Sequence, residues 1–167
     1  MKLKDILFEQ LEREIDSSRR TLERVPEGKN NWKPHEKSME LGYLASLVAV
    51  MPSWVDMMIN TDEFDVLVPS EYQPVSNPSR QDLMDILERS AQKGKEALRQ
   101  TTDEHLETNW KLLANGHVGG DYRRRIFILD GVIAHLAHHR GQLTVYLRLL
   151  NEPVPGLYGP SADERIH

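Results

Sequence analysis

Apolar residues recur at helical spacing in four long segments of the chain. The segments cover about residues 3–25, 39–59, 80–101 and 122–150, and charged residues fill the positions between the apolar ones. Apolar positions three and four residues apart fall on one face of a helix. The pattern therefore predicts four amphipathic helices.

Particular residues predict where these helices begin and bend. Ser38 stands where an N-cap would serve the second helix, and Ser79 followed by Asp82 resembles a capping box for the third. Pro52 removes a hydrogen bond inside the second helix and predicts a bend there. Asn115-Gly116, flanked by apolar residues, predicts a hairpin turn in a short extended excursion.

The segments between the helices suggest how the chain is organised. Residues 60–78 contain three prolines and little periodicity, and residues 151–160 form an irregular tail rich in proline and glycine. Four amphipathic helices bury their apolar faces most simply against one another. We expect residues 1–167 to form a single all-α domain, a four-helix bundle. It has a long connection between helices two and three and a short irregular excursion before helix four.

Composition and charge limit the kinds of molecule that the protein is expected to bind. The net charge of −5 disfavours binding to nucleic acid, and the only basic cluster, Arg123-Arg124-Arg125, is read either as an anion contact or as a salt-bridged helix start. The chain has no cysteine, which excludes disulfides and thiolate ligands. Charges interrupt the apolar pattern of the N-terminus, and the sequence predicts that no uninterrupted apolar run is long enough to span a bilayer. We expect a cytoplasmic protein without a membrane partner.

The densest group of chemically useful side chains lies in the fourth helix. His135 and His139 are four residues apart, so their side chains project to nearly the same side and can reach one metal ion. An apolar stripe that includes Leu129 is taken as the inward direction, which turns both imidazoles towards the bundle interior. Gln142 and Tyr146 continue this face and are candidates to orient a ligand imidazole. The alternative is that all four are polar core residues that satisfy one another.

The remaining histidines are predicted to be surface residues. His138 and the neighbouring Arg140 are rotated towards solvent or a partner subunit, and the others lie in loops or at the terminus: His35, His105, His117 and His167. The chain has no Gly-rich phosphate loop, nucleophile elbow or His-Glu-x-x-His motif.

Several of these segments resemble the DinB-like superfamily, named for damage-inducible expression in some members. The resemblance is carried by Trp32-Lys33-Pro34, Leu41-Gly42-Tyr43-Leu44-Ala45, Pro52-Ser53-Trp54, His135-Leu136-Ala137-His138-His139-Arg140-Gly141-Gln142-Leu143, Tyr146-Leu147-Arg148 and the tail at 153–161. These segments keep their order from residue 32 to residue 161. The resemblance thus covers nearly the whole chain.

The resemblance implies a four-helix bundle, often a homodimer, with a divalent metal such as zinc or nickel held by three histidines. Some relatives are stress or detoxification enzymes that transfer groups to a low-molecular-weight thiol. His135 and His139 match the two ligands expected on helix four. The ligand expected on helix two falls at Leu47, which has no lone pair to offer.

Two hypotheses follow from this incomplete ligand set. The first is a metal-dependent thiol transferase or hydrolase acting on a small molecule, with His35 or Glu40 replacing the missing ligand or with only weak metal binding. The second is a metal-free bundle that binds or interacts without catalysis. Losing a second-shell partner already costs about 10–100-fold in metal affinity, so losing a ligand should cost at least as much.

Overall fold

The computed structural model describes residues 2–165, which form helices around one apolar core and a small sheet at one side. The helices are α1 (Leu3–Leu22), α2 (Leu41–Val50), α3 (Trp54–Asn60), α4 (Arg80–Gln100), α5 (Asp103–Leu106), α6 (Arg124–Phe127) and α7 (His135–Leu149). A 3-10 turn (Met51–Ser53) joins α2 to α3, and a π-helix (Ile128–Ala134) joins α6 to α7. The strands are β1 (Glu63–Asp65), β2 (Asn109–Ala114) and β3 (His117–Arg123).

Helices α1 and α4 pack against each other as their sequence patterns predict. The start of α4 is a complete capping box, in which the Asp82 amide donates to Ser79 Oγ at 3.1 Å and the Ser79 amide donates to Asp82 Oδ2 at 2.9 Å. The shorter aspartate therefore serves in the place where glutamate is more usual.

The second predicted helix is α2 and α3 together, and its bend is confirmed. The bend is the 3-10 turn containing Pro52, where the Cα of Gly94 in α4 comes so close that a Cβ would lie 2.3 Å from the Pro52 carbonyl oxygen. The Ser38 N-cap was wrong. The helix begins at Leu41 with Glu40 at the N-cap position, and no side chain caps it.

The α2–α3 segment also corrects the expectation that no apolar run in the sequence is long enough to span a bilayer. Leu41–Asn60 is long and apolar enough by composition to cross a membrane, but 83% of its apolar window is buried inside the structure. Packing in the centre of the core accounts for this composition.

A three-stranded sheet corrects the prediction of an all-α bundle. β2 and β3 are antiparallel and joined at Asn115-Gly116, whose φ angles of 51° and 76° are those of the predicted hairpin turn. β1 pairs in parallel with β2 and lies in the connection predicted to be irregular. The Asp65 carboxylate at the end of β1 accepts hydrogen bonds from the Asn115 and Gly116 amides, so the connection is fixed to the hairpin.

The fourth predicted helix contains a change of helical register. The π-helix has one extra residue in its turn, so an inward position extrapolated backwards from α7 shifts by one residue. Ile128 is accordingly fully buried, whereas Leu129, predicted to face inward, is 38% exposed. The prediction for Leu129 was wrong because it assumed an uninterrupted α-helix.

Candidate metal and ligand site

His135 and His139 meet at the start of α7. Their Nε2 atoms lie 2.7 Å apart, and their ring centroids are separated by 4.5 Å. His139 is buried and His135 is half-buried. The structure thus brings the two predicted ligands together with the same ring nitrogen of each directed at one point.

Gln142 fixes the orientation of one of these rings. Its side-chain oxygen accepts a hydrogen bond from His139 Nδ1 at 3.0 Å, and its amide nitrogen donates to Nε2 of His138 at 3.1 Å. In a neutral His139 the proton therefore resides on Nδ1 and the lone pair on Nε2. A neutral His135 that donates the 2.7 Å bond has its proton on Nε2. Moving that proton to Nδ1, where the Gly131 backbone forms a hydrogen bond with the ring, leaves two lone pairs converging on one point.

Burial favours the neutral form of both rings. It lowers the pKa of His135, an effect partly offset by a hydrogen bond with the Gly131 backbone. Burial likewise lowers the pKa of His139, with a partial offset from the hydrogen bond to Gln142. Metal ligation requires a neutral imidazole, so this environment suits a cation site.

The histidine pair fits two positions of a metal site. Two nitrogens bound to tetrahedral zinc lie about 3.3 Å apart, so the rings need to open by about 0.6 Å from the observed separation of 2.7 Å. Within residues 2–165, however, no group of three or more His, Asp or Glu side chains is arranged so that it could hold a metal ion. The chain supplies two nitrogen donors, and a third donor has to come from elsewhere.

The level of Leu47 along the bundle follows from two contacts between neighbouring helices. The ring of Trp54 lies 5.9 Å from that of His135, and the Tyr146 hydroxyl donates to the Met39 carbonyl at 3.1 Å. The last helix therefore runs antiparallel to α2 and α3. Counted along antiparallel helices, buried Leu47 comes level with residue 142 from the first contact and with residue 138 from the second, so the two counts fall on either side of His139.

Other residues singled out in the sequence lie elsewhere. The Tyr146 ring packs edge-on against Trp32, and its hydroxyl bonds to Met39, so it does not orient an imidazole. His35 is exposed and accepts a hydrogen bond from the Lys37 amide. His117 and Glu40 are exposed, His105 Nε2 contacts the Ile59 carbonyl at 2.9 Å, and His167 lies outside the described residues.

Arg140 corrects the sequence analysis most clearly. It was expected to face solvent or a partner, but its side chain is fully buried and bonds to the Glu14 carboxylate at 2.5 Å. It also contacts the hydroxyl of Tyr158 from the C-terminal tail, and that hydroxyl donates to Glu14 at 2.8 Å. Directly beside His139, this ion pair joins α1, α7 and the tail.

The basic cluster at 123–125 is salt-bridged. Arg123 and Arg125 each bond to Glu107 at 2.7 Å, and buried Arg124 bonds to Asp62 at 2.7 Å. These pairs leave the cluster with little free positive charge for an anion.

An open cleft of about 640 Å³ lies beside His135, between α3, the sheet and the π-helix. Its walls are mainly aromatic and apolar, and they include the rings of Trp54, Phe64, Tyr122 and Phe127. His135 and Asp130 are the lining residues with imidazole or carboxylate groups. No periodic pattern in the sequence indicates this cleft, because its lining residues come from α3, the three strands, α6, the π-helix and α7.

Comparison with known proteins agrees with the residue pattern over nearly all of the chain. The sequence model described as the DinB family matches residues 1–165. A protein of Bacillus subtilis strain 168, described as the uncharacterized protein YrdA, is 33% identical over 106 residues. That match covers 63% of this chain and 59% of the relative's length.

Two crystal structures share the fold. A DinB-like protein from Bacillus cereus ATCC 10987 has a TM-score of 0.70 at 24% identity, with 91% of this chain and 95% of that chain covered. The DinB-like protein YjoA from Bacillus subtilis has a TM-score of 0.68 at 19% identity, with 95% and 99% covered. At these identities the likeness concerns the fold alone.

Proposed function

The chain belongs to the DinB family, and from this membership together with the histidine geometry we propose that it binds a divalent metal, zinc or nickel, weakly through His135 and His139. The convergence of the two Nε2 atoms at 2.7 Å is the observation that carries the proposal. Their lowered pKa values and the bond from His139 to Gln142 support it, because both keep lone pairs available for a cation.

The weakness follows from Leu47. It lies near the level of His139 on a helix packed against α7, at the position where the family resemblance implies a third histidine. A catalytic zinc site ordinarily has three protein ligands and an open position. Here two ligands remain, and water, a thiol or a substrate atom has to supply the others.

The proposed activity is one of two reactions on a small molecule. The first transfers a group to a low-molecular-weight thiol, and the second is hydrolysis with water as the nucleophile. A bound divalent cation supplies Lewis acidity that lowers the pKa of such a nucleophile. The chain's own residues then have two tasks. Gln142 holds the His139 ring in place, and the Trp54 ring, 5.9 Å from His135, covers one side of the pair against water.

The proposal extends to a single-domain cytoplasmic protein that forms a homodimer and acts on a small molecule. The net charge of −5 and the ion pairs of the basic cluster support a partner other than nucleic acid.

A titration of tag-free protein with zinc and nickel by calorimetry tests the metal site. We expect one ion per chain in the wild type, with binding lost in His139→Ala. His117→Ala, which removes an exposed histidine of the hairpin, is the matched control and should bind as the wild type does. Equal binding by wild type and His139→Ala would place the metal elsewhere and refute the proposal.

A metal-free binding bundle is the second candidate. The direct hydrogen bond between the two rings favours it, because the pair satisfies itself without a cation. No heat of binding for either metal at millimolar concentration would decide for this candidate.

A further inference from the structure

We propose that the cleft beside His135 is a binding site for a neutral, largely aromatic small molecule. Its volume of about 640 Å³ is typical of pockets that enclose such ligands, for which the range is roughly 300–1,000 Å³. The inference rests on the proposed function only in placing this ligand next to the histidine pair.

The residues that line the cleft determine which kind of ligand it favours. The Trp54 indole N–H is already used, since it donates to the Tyr72 carbonyl at 2.8 Å, so this residue offers the ligand its ring face. Met57 and Met58 add flexible, polarizable side chains to the same wall. Aromatic rings and thioethers together favour a planar apolar ligand, through stacking and edge contacts.

Charge argues against an anionic ligand. Among the described residues that line the cleft there is no lysine or arginine, and the one carboxylate is that of exposed Asp130. A negatively charged group would lose hydration without gaining a counter-ion. A ligand with a single polar atom can instead direct it towards the edge where His135 lies.

The concave shape favours a small molecule over a second copy of the chain. The lining comes from α3, β1, β2, β3 and the π-helix region, and it surrounds a volume instead of presenting one flat face. A flat partner surface would leave much of that volume unfilled.

Fluorescence titration of metal-free, EDTA-treated protein tests the inference with two probes. N-phenyl-1-naphthylamine is neutral and aromatic, and 1-anilinonaphthalene-8-sulfonate has a similar ring system with a negative charge. We expect one neutral probe per chain and at least about tenfold weaker binding of the anionic one, because the lining offers no counter-ion. Tighter binding of the anionic probe would overturn the inference.

Two adjacent substitutions locate the bound probe. Val66 lines the cleft, whereas Leu67 does not, and both side chains are substantially exposed at 43% and 66%. Val66→Asp places a charge in the cleft and should weaken binding of the neutral probe at least about tenfold. Leu67→Asp adds the same charge outside it and should change binding less than about twofold. Equal effects of the two variants would contradict the assignment.

A third variant separates this inference from the metal proposal. His139→Ala removes a proposed metal ligand that does not line the cleft, so probe binding should persist while metal binding is lost. If probe affinity in the wild type instead falls as protein concentration rises, a second copy occupies the cleft and the inference fails.

Discussion

Removing the buried charge of Arg140 should destabilise the protein severely. The Arg140 and Glu14 side chains are 1% and 3% exposed, and Arg140 also donates to the Glu14 carbonyl at 3.0 Å and to Ser18 Oγ at 3.2 Å. Arg140→Met fills a similar volume but leaves the Glu14 carboxylate buried without a counter-ion, with the neutral Tyr158 hydroxyl and Gln10 amide as its remaining side-chain partners. Breaking a buried pair from one side costs about 3–5 kcal/mol.

Equilibrium urea unfolding measures this loss. We expect the midpoint urea concentration to fall while the denaturant slope stays unchanged. The corresponding loss in the free energy of unfolding is about 3–5 kcal/mol. Glu71→Gln is the control, because it breaks the exposed Lys93–Glu71 pair and should cost less than about 1 kcal/mol. Adding Glu14→Gln to Arg140→Met should recover part of the loss, since no unpaired charge remains. A loss below about 1 kcal/mol for Arg140→Met would refute the reasoning.

Two further predictions concern packing and pH. Gly94→Ala should cost about 1–3 kcal/mol of stability, because its Cβ would lie 2.3 Å from the Pro52 carbonyl oxygen. Gly141→Ala has open space around the new Cβ and should stabilise α7 by up to about 1 kcal/mol. Thermal unfolding of both variants checks the sign of each change. The Gly156 amide, Arg20 of α1 and Arg24 just beyond α1 lower the pKa of Glu164. The contribution of Glu164 to tail anchoring is therefore present above the ordinary carboxyl pKa and lost as pH falls through the lowered one. The protection factors of the tail amides, which are corrected for the intrinsic exchange rate at each pH, should therefore fall at acid pH in the wild type and much less in Glu164→Gln. An identical pH dependence of the two proteins would contradict this.

Local signals in the sequence sufficed for much of the fold. The capping box at Ser79 and the hairpin turn at Asn115-Gly116 are determined by a few adjacent residues, and both are confirmed. β1 was missed because its three residues gain their strand geometry from β2, a partner distant in sequence. Such pairing has no periodicity of its own to detect.

The candidate site shows the same contrast between features set by neighbouring residues and features that depend on distant ones. The spacing of His135 and His139 within one helix was enough to predict that their rings meet. The burial of Arg140 was not predictable in this way, because it depends on Glu14 and the Tyr158 hydroxyl, which come from the two ends of the chain. The apolar cleft was missed for the same reason, since the elements around it come together only in the folded chain.

Restoring the missing donor tests the incomplete metal site most directly. Zinc and nickel should bind to Leu47→His at least about tenfold more tightly than to the wild type, because a third imidazole joins His135 and His139. Leu47→Asn imposes a similar burden of a buried polar group without an imidazole and should give no such gain. Unchanged metal affinity in a folded Leu47→His protein would contradict the account, since residue 47 would then not face the histidine pair.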